Sequence, residues 1–158
     1  IDASELLVGD AAARCSFLFV ADSDFGRAAH DPKVVERLRA AQFLVVMGWA
    51  DTPLARVADI ALPVATHAER EGTFVNVEGR LQRFSPAFPP PSQVREALSV
   101  LGELLARFRP DVAGRSIAEV FADMAAERPA FSGRRWEAIP ATGTVLESIA
   151  RVAPAAEG

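Results

Sequence analysis

Apolar positions fall into short continuous runs in the first half of this chain and into three-and-four spacings in the second. Residues 16–21, Ser-Phe-Leu-Phe-Val-Ala, predict a strand of the kind covered on both faces in a parallel sheet. Asp22-Ser23-Asp24-Phe25-Gly26 closes it with turn chemistry. Residues 32–41 predict a helix with Asp31 as cap, Pro32 in the first position, and Val34, Val35 and Leu38 as its inward stripe. Residues 42–47, Gln-Phe-Leu-Val-Val-Met, predict a second buried strand, which makes a right-handed βαβ unit. A short helix over 52–58 leads into residues 58–63, a brief buried strand closed by Pro63 and the third parallel strand. The opening residues 1–14 read as a loop or frayed helix.

From residue 73 the pattern changes. Thr73-Phe74-Val75-Asn76-Val77 and Arg80-Leu81-Gln82-Arg83-Phe84 flank Glu78-Gly79 as the arms of a tight hairpin. Phe74, Asn76 and Glu78 share one parity and Thr73, Val75 and Val77 the other, so neither face is uniformly apolar. A hairpin polar on a face that should be covered is expected to touch something else. Residues 85–91 are proline-rich and predict an extended linker. Ser92 caps a helix reaching about Phe108, with Val94, Leu98, Leu101, Leu105 and Phe108 as its buried face. Pro110 stops it. Ser116-Ile117-Ala118-Glu119 is a capping-box match that opens a helix through Ala126, packed by Ile117, Val120, Phe121 and Met124. Beyond Arg128 the chain is irregular, pinned by Phe131, Trp136 and Ile139, and residues 154–158 read as a disordered end.

The fold class is α/β: an incomplete open parallel, Rossmann-like sheet with a β-hairpin, followed by a small helical C-terminal segment. The implied organisation is an α/β portion with hairpin at 1–84, a linker at 85–91, two helices at 92–127 and an anchoring tail at 128–158. Three short parallel strands make a poor sheet, because such sheets need several strands covered on both sides. The chain is therefore expected to complete a sheet begun elsewhere, as part of a larger domain. It opens on Ile1 rather than methionine, which suits a processed product, a fragment or the ordered part of something longer.

Composition narrows the function classes. With 158 residues, half of them apolar, the chain can bury roughly two thirds of its unfolded surface. A net charge of −4 argues against a nucleic-acid or anionic-membrane footprint. A single cysteine, Cys15, excludes an internal disulfide and a four-thiolate iron–sulfur cluster held by this chain alone. Cys15, His30, His67 and a carboxylate lack any short-spaced pair of zinc ligands, so no metal site is expected. No apolar run approaches the ~20 residues of a membrane span.

A ligand of an open α/β sheet would sit beyond the strand ends, near Asp22–Gly26 and Gly48-Trp49-Ala50-Asp51. A pyrophosphate there wants glycine and free donors, whereas Asp22, Asp24 and Asp51 supply carboxylates. Magnesium on those aspartates competes with ordinary solvated turn residues. His67, Glu69 and Glu71 form the densest titratable cluster, read either as an acid–base set or as a solvated crossing after Pro63. Cys15 reads as an inert thiol, no serine sits in a nucleophile elbow, and Trp49 and Trp136 read as packing or interface aromatics. No catalytic residue is expected on this chain acting alone.

Residues 58–84, ADIALPVATHAEREGTFVNVEGRLQRF, resemble the signature of the molybdopterin-oxidoreductase-like domain. Matching positions are Ala58, Asp59, Leu62, Pro63, Glu69, Glu71, Gly72, Thr73, Asn76, Glu78, Gly79, Arg80 and Gln82. Two groups share it. One is the molybdenum enzymes, such as formate dehydrogenases and nitrate reductases. The other is the large iron–sulfur subunit of NADH-quinone oxidoreductase, respiratory complex I. The continuation, with Pro89-Pro90-Pro91, the following helix and residues 129–140, looks like the complex I protein. The molybdenum enzymes continue into a β-barrel, and no β-rich sequence follows Pro91.

That resemblance implies a structural, scaffolding portion of the peripheral arm, with electron transfer from NADH to quinone carried elsewhere in the complex. It implies no cofactor on this chain, and iron–sulfur clusters and FMN in the parent complex. Implied partners are other peripheral-arm subunits, including a cysteine-rich, cluster-bearing N-terminal part. The implied location is the cytoplasmic side of the inner (plasma) membrane, without a direct membrane span. Glu71, Gly72, Asn76, Glu78, Gly79, Arg80 and Trp136 are the expected structural or interface residues. Under the alternative, a molybdenum oxidoreductase domain, Asp22, Asn76, Glu78, Arg80 and Gln82 would contact a pterin guanine dinucleotide.

Overall fold

The structure is a computed structural model that describes residues 9–21 and 28–146. The sequence readings of residues 1–8, of the 22–26 turn and of the 154–158 end lie outside the described residues. The chain divides into two compact units, Ile1–Thr66 with Pro91–Ala97, and His67–Pro90 with Leu98–Gly158.

In the first unit, β1 (Leu18–Ala21), β2 (Leu44–Gly48) and β3 (Ile60–Pro63) form a parallel sheet in the order β1-β2-β3. Helix α1 (Pro32–Arg39) begins as its sequence dictates: the Asp31 carboxylate accepts the Lys33 N–H at 2.9 Å, and Pro32 sits in the first turn, where its missing donor costs nothing. Helix α2 (Pro53–Val57) repeats the device, with Thr52 Oγ1 accepting from Ala55 N–H at 3.1 Å. A 3-10 turn over Ala11–Arg14 precedes β1. Val20, Val34, Leu38, Leu44, Val46 and Leu54 form the core between helices and sheet. Leu38, Leu44 and Leu54 are each 1% exposed. Full burial of such a side chain contributes roughly 1.5–3 kcal/mol.

The expected burial on both faces holds for β2 and fails at the sheet's flanks. β3 is not a buried strand: Ile60, Ala61 and Pro63 are exposed. β1 is only partly covered. The physical reason is that α1 and α2 pack on one face only, and an end strand lacks a neighbour on one side.

In the second unit, β4 (Gly72–Val75) and β5 (Arg80–Phe84) pair antiparallel, with Phe74 opposite Gln82. The arms stop at Val75, earlier than the sequence reading, and the connection is the four-residue loop Asn76-Val77-Glu78-Gly79 instead of a two-residue turn. Two backbone bonds close it: Asn76 N–H to Arg80 O at 3.0 Å and Gly79 N–H to Asn76 O at 2.9 Å. Val77 points into solvent. A third strand, β6 (Thr144–Val145), pairs antiparallel with β5 and was not legible in the tail's irregular composition.

Helix α3 (Ala97–Ala106) starts at Ala97, not after Ser92. Val94 N–H turns back to Pro91 O at 2.8 Å, and Arg95 is held extended in a parallel bridge with Val64, accepting from Ala65 N–H at 2.8 Å. Extended backbone at Arg95 excludes a helix there. The predicted buried stripe of α3 is also corrected: none of its residues is buried, and Phe108 beyond its end is 85% exposed. Helix α4 (Ile117–Glu127) carries the full capping box on Ser116 and Glu119. It packs Phe121 and Ala125 against Leu81, Trp136, Ile139 and Leu146, with Ile117, Met124 and Phe131 at the margin. Val120, expected in this packing, faces solvent. Trp136 and Ile139 are the anchors their sequence suggested.

Candidate functional site

Two places concentrate the residues singled out by the sequence: the signature hairpin of the second unit and the cleft at the C-terminal strand ends of the first.

At the hairpin, Asn76 sits at the loop's start and its Oδ1 accepts two backbone donors, Glu78 N–H at 3.0 Å and Arg80 N–H at 2.9 Å. The side chain thus does locally what a further strand residue would do, which is why the ladder ends one residue before it. Glu78 projects from the exposed loop tip. Gly79 has φ 74°, a conformation that disfavours any side chain, and its carbonyl accepts Leu146 N–H at 2.8 Å. Arg80 reaches Thr142 O at 3.4 Å. Gln82 is exposed on β5, opposite Phe74. Gly72 is buried because the Phe84 ring occupies the place a Cβ would take. Glu71 lies just before β4, half-buried.

Above these, the Phe74 and Phe84 rings stack with centroids 4.7 Å apart, Arg70 lies 5.6 Å over Phe84, and the His67 ring meets Phe74 edge-on at 6.2 Å. Of the sequence's titratable cluster His67, Glu69 and Glu71, it is His67 that meets this aromatic pair. Among the described residues no three His, Cys, Asp or Glu side chains converge to hold a metal ion. The sequence reading missed Arg83, whose guanidinium stacks 4.6 Å over Trp136 and donates to its carbonyl at 3.4 Å. It also missed Arg134, which donates to Thr144 Oγ1 at 3.2 Å and Val145 O at 3.3 Å and so holds β6. The alternation in Arg80-Leu81-Gln82-Arg83 was a signal for Arg83; Arg134 carried none.

The cleft of the first unit has a volume of about 430 Å³ and is lined by Gly48, Trp49, Asp51, Arg56, Leu62 and Pro63, among others. Asp51 and Arg56 form a bidentate pair at 2.8 and 2.6 Å. That hydrogen bonding holds the Asp51 carboxyl below its usual range and raises Arg56. A larger groove of about 700 Å³ runs along α1 and α2 and is bordered by His30, Glu36, Arg39, Pro53 and Asp59. There the signature's Asp59 has a structural task. Its Oδ2 accepts Leu44 N–H at 2.7 Å while its own N–H donates to Leu44 O at 2.9 Å, which locks the start of β3 onto β2.

A pterin guanine dinucleotide brings phosphates, for which the lining of the strand-end cleft offers one cation among the described residues. The cation of the strand-end cleft, Arg56, is already neutralised by Asp51. Thr52, at the start of α2, has its hydroxyl engaged by that helix's own backbone. The acceptor oxygen of Asn76 is likewise engaged. Of that expected set, Glu78, Arg80 and Gln82 lie on the hairpin as described above, and Asp22 lies outside the described residues. Among the described residues, no helix is long and apolar enough to cross a membrane.

Comparison with known proteins agrees with the resemblance drawn from residues 58–84. Residues 4–107 match the family model described as molybdopterin oxidoreductase. The chain is 33% identical to the G 2 chain of the NADH-quinone oxidoreductase of Rhizobium meliloti (strain 1021) over 132 residues, 83% of this chain and 16% of that protein. It is 32% identical to the F420-dependent formate dehydrogenase subunit alpha of Methanocaldococcus jannaschii over 62% of this chain and 15% of that protein. Against the G chain of the NADH-quinone oxidoreductase of Shewanella oneidensis the identity is 40%, over 46% of this chain and 8% of that protein. The chain thus spans less than a fifth of the length of these curated relatives.

Proposed function

Given that the chain belongs to the molybdopterin oxidoreductase family, we propose that it serves as a structural portion of the peripheral arm of an NADH-quinone oxidoreductase and holds no cofactor of its own. Its partners in this reading are the other peripheral-arm subunits, including a cysteine-rich, cluster-bearing part. Iron–sulfur clusters and FMN in those partners carry electrons from NADH to quinone, on the cytoplasmic side of the inner membrane. Similarity to two NADH-quinone oxidoreductase subunits, one of them across 83% of the chain, supports the assignment.

The observation that carries it is the state of the signature hairpin. Several of its polar groups are engaged by the chain itself: Asn76 Oδ1 by the N–H groups of Glu78 and Arg80, the Gly79 carbonyl by Leu146, and Arg80 by Thr142. A ligand that took these same groups would have to displace bonds worth about 0.5–1.5 kcal/mol each. The hairpin also turns Phe74, Val75 and Val77 outward beside the exposed Glu78 and Gln82. Such a surface suits protein contact better than a phosphate-bearing cofactor.

Metal analysis of the assembly purified through a tag on this polypeptide tests the reading. The expected outcome is iron and acid-labile sulfide from co-purifying subunits, with molybdenum and tungsten far below one atom per chain. Stoichiometric molybdenum or tungsten would instead favour a cofactor-binding domain of a formate-dehydrogenase-like enzyme.

A further inference from the structure

The antiparallel sheet of the second unit has two edges, and the chain closes one of them itself. Strand β6 lies along β5, so the open edge is β4, whose one strand neighbour among the described residues is β5. Natural edge strands are commonly blunted by lysine, proline or a bulge. β4 reads Gly72-Thr73-Phe74-Val75, without charge or proline, and its register with β5 is continuous. Phe74 and Val75 stand 54% and 37% exposed.

The ladder determines which backbone groups face outward. Asn76 N–H donates to Arg80 O, so Asn76–Arg80, Phe74–Gln82 and Gly72–Phe84 are the hydrogen-bonded pairs. The N–H and C=O groups of Thr73 and Val75 therefore point away from β5, along the open edge. Pairing this edge with itself about a twofold axis at Phe74 sets Thr73 of each copy opposite Val75 of the other. Those residues exchange N–H···O=C bonds in both directions, and the two Phe74 residues form the close, non-hydrogen-bonded pair between them. Their rings continue the Phe74–Phe84 stack across the axis. Glu78 falls opposite Arg70, which lies over Phe84 on the same face, so unlike charges meet at both ends. A shift of two residues would set Phe74 against Gly72 or Asn76 and lose both the ring pair and the charge match. A shift of one would oppose backbone groups already bound to β5.

We propose that β4 is a self-association edge, to which a second copy of this chain adds its own β4 antiparallel, Thr73 against Val75 and Phe74 against Phe74. The occupant is a second copy because the edge is complementary to itself in hydrogen bonding, ring packing and charge. The inference goes beyond the functional reading and does not rest on it. Metal content decides that reading, whereas copy number and register decide this one.

Tagged and untagged copies of the polypeptide are co-expressed, and the assembly is purified through the tag. The untagged copy is expected to co-purify, and its absence would overturn the proposal. Single cysteines under mild oxidation, in a background where the free Cys15 is replaced by serine, read the register. Directly opposite residues of a non-hydrogen-bonded pair lie about 4.5 Å apart at Cα, within disulfide reach. Phe74→Cys is therefore expected to give a covalent dimer of this chain. Val77→Cys is the control: Val77 is 93% exposed but faces Glu71 in this register, its counterpart roughly 20 Å away at ~3.3 Å per residue. The dimer should form many-fold faster with Phe74→Cys. Comparable rates, as exposure alone would give, or capture of a different polypeptide at position 74, would overturn the proposal. Phe74→Lys and Phe74→Tyr guard against a cysteine variant that fails to fold. The lysine sets like charges opposite each other and should lower recovery of the untagged copy several-fold, while the tyrosine keeps the ring and should retain it. Equal recovery with both would also overturn the self-association edge.

Discussion

Replacing Asn76 separates a structural hairpin from a ligand site. Its Oδ1 accepts two N–H donors, those of Glu78 and Arg80, at 3.0 and 2.9 Å. Net contributions of about 0.5–1.5 kcal/mol per bond, taken at the lower end for exposed groups, give ~1–2 kcal/mol for the pair. Asn76→Ala removes the shared acceptor and with it both bonds, so the loop should open more often by roughly tenfold, since 1.4 kcal/mol corresponds to one decade. Asn76→Asp keeps an oxygen at the same place and discards only the amide donors, so it should leave the loop closed. Hydrogen exchange resolved at the amides of Glu78 and Arg80 reads local opening directly. Accelerated exchange in Asn76→Ala with near-native exchange in Asn76→Asp is expected. Equal acceleration in both variants, or none in Asn76→Ala, would refute the claim that the signature asparagine acts through its acceptor oxygen.

Further outcomes follow from the second unit's core and caps. Leu81 is fully buried at 0% exposure, and Leu81→Ala should cost about 2–5 kcal/mol in denaturant unfolding. Trp136→Ala removes a ring packed by Phe121 at 5.9 Å and covered by Arg83, and should cost about 3–5 kcal/mol in the same assay. Ser116→Ala should lower stability by about 1 kcal/mol through loss of the α4 cap. The Glu119 carboxyl is held below its usual range, first by the Ser116 backbone N–H and then by the Ser116 hydroxyl. A lowered folded value means that the box stabilises above the unfolded carboxylate range and loses that contribution as pH falls through the lowered value. Carboxyl NMR should therefore place the Glu119 midpoint below the unperturbed value of about 4.3, and a midpoint at or above it would contradict the capping box.

Much of the local architecture was written in short stretches of sequence. Asp31-Pro32 and Thr52-Pro53 set two helix starts, Ser116 and Glu119 a third, because caps act over three or four residues of backbone. The run from Leu44 to Met47 was apolar on both parities and became the central strand. The signature at 58–84 identified the family without any structure. Where the sequence misled, a distant partner decided. Arg95 is extended because Val64 and Ala65 lie beside it, and that contact moved the start of α3. The tail's Thr144 and Val145 form a strand only because β5 offers an unpaired edge.

The candidate site divides in the same way. The sequence by itself determined which residue types stand at the hairpin, Asn76, Gly79, Arg80 and Gln82, since these are matters of identity and spacing. Tertiary structure alone decided what they touch. Asn76 turns its oxygen onto its own loop, Arg80 and Gly79 meet the chain some sixty residues later, and Asp59 locks β3 to β2. Burial was decided there as well. The pattern in β1 and β3 called for buried strands, yet β3 stands largely exposed and β1 only partly covered. Local interactions are fixed by neighbouring residues, whereas burial depends on which layers the whole chain brings together.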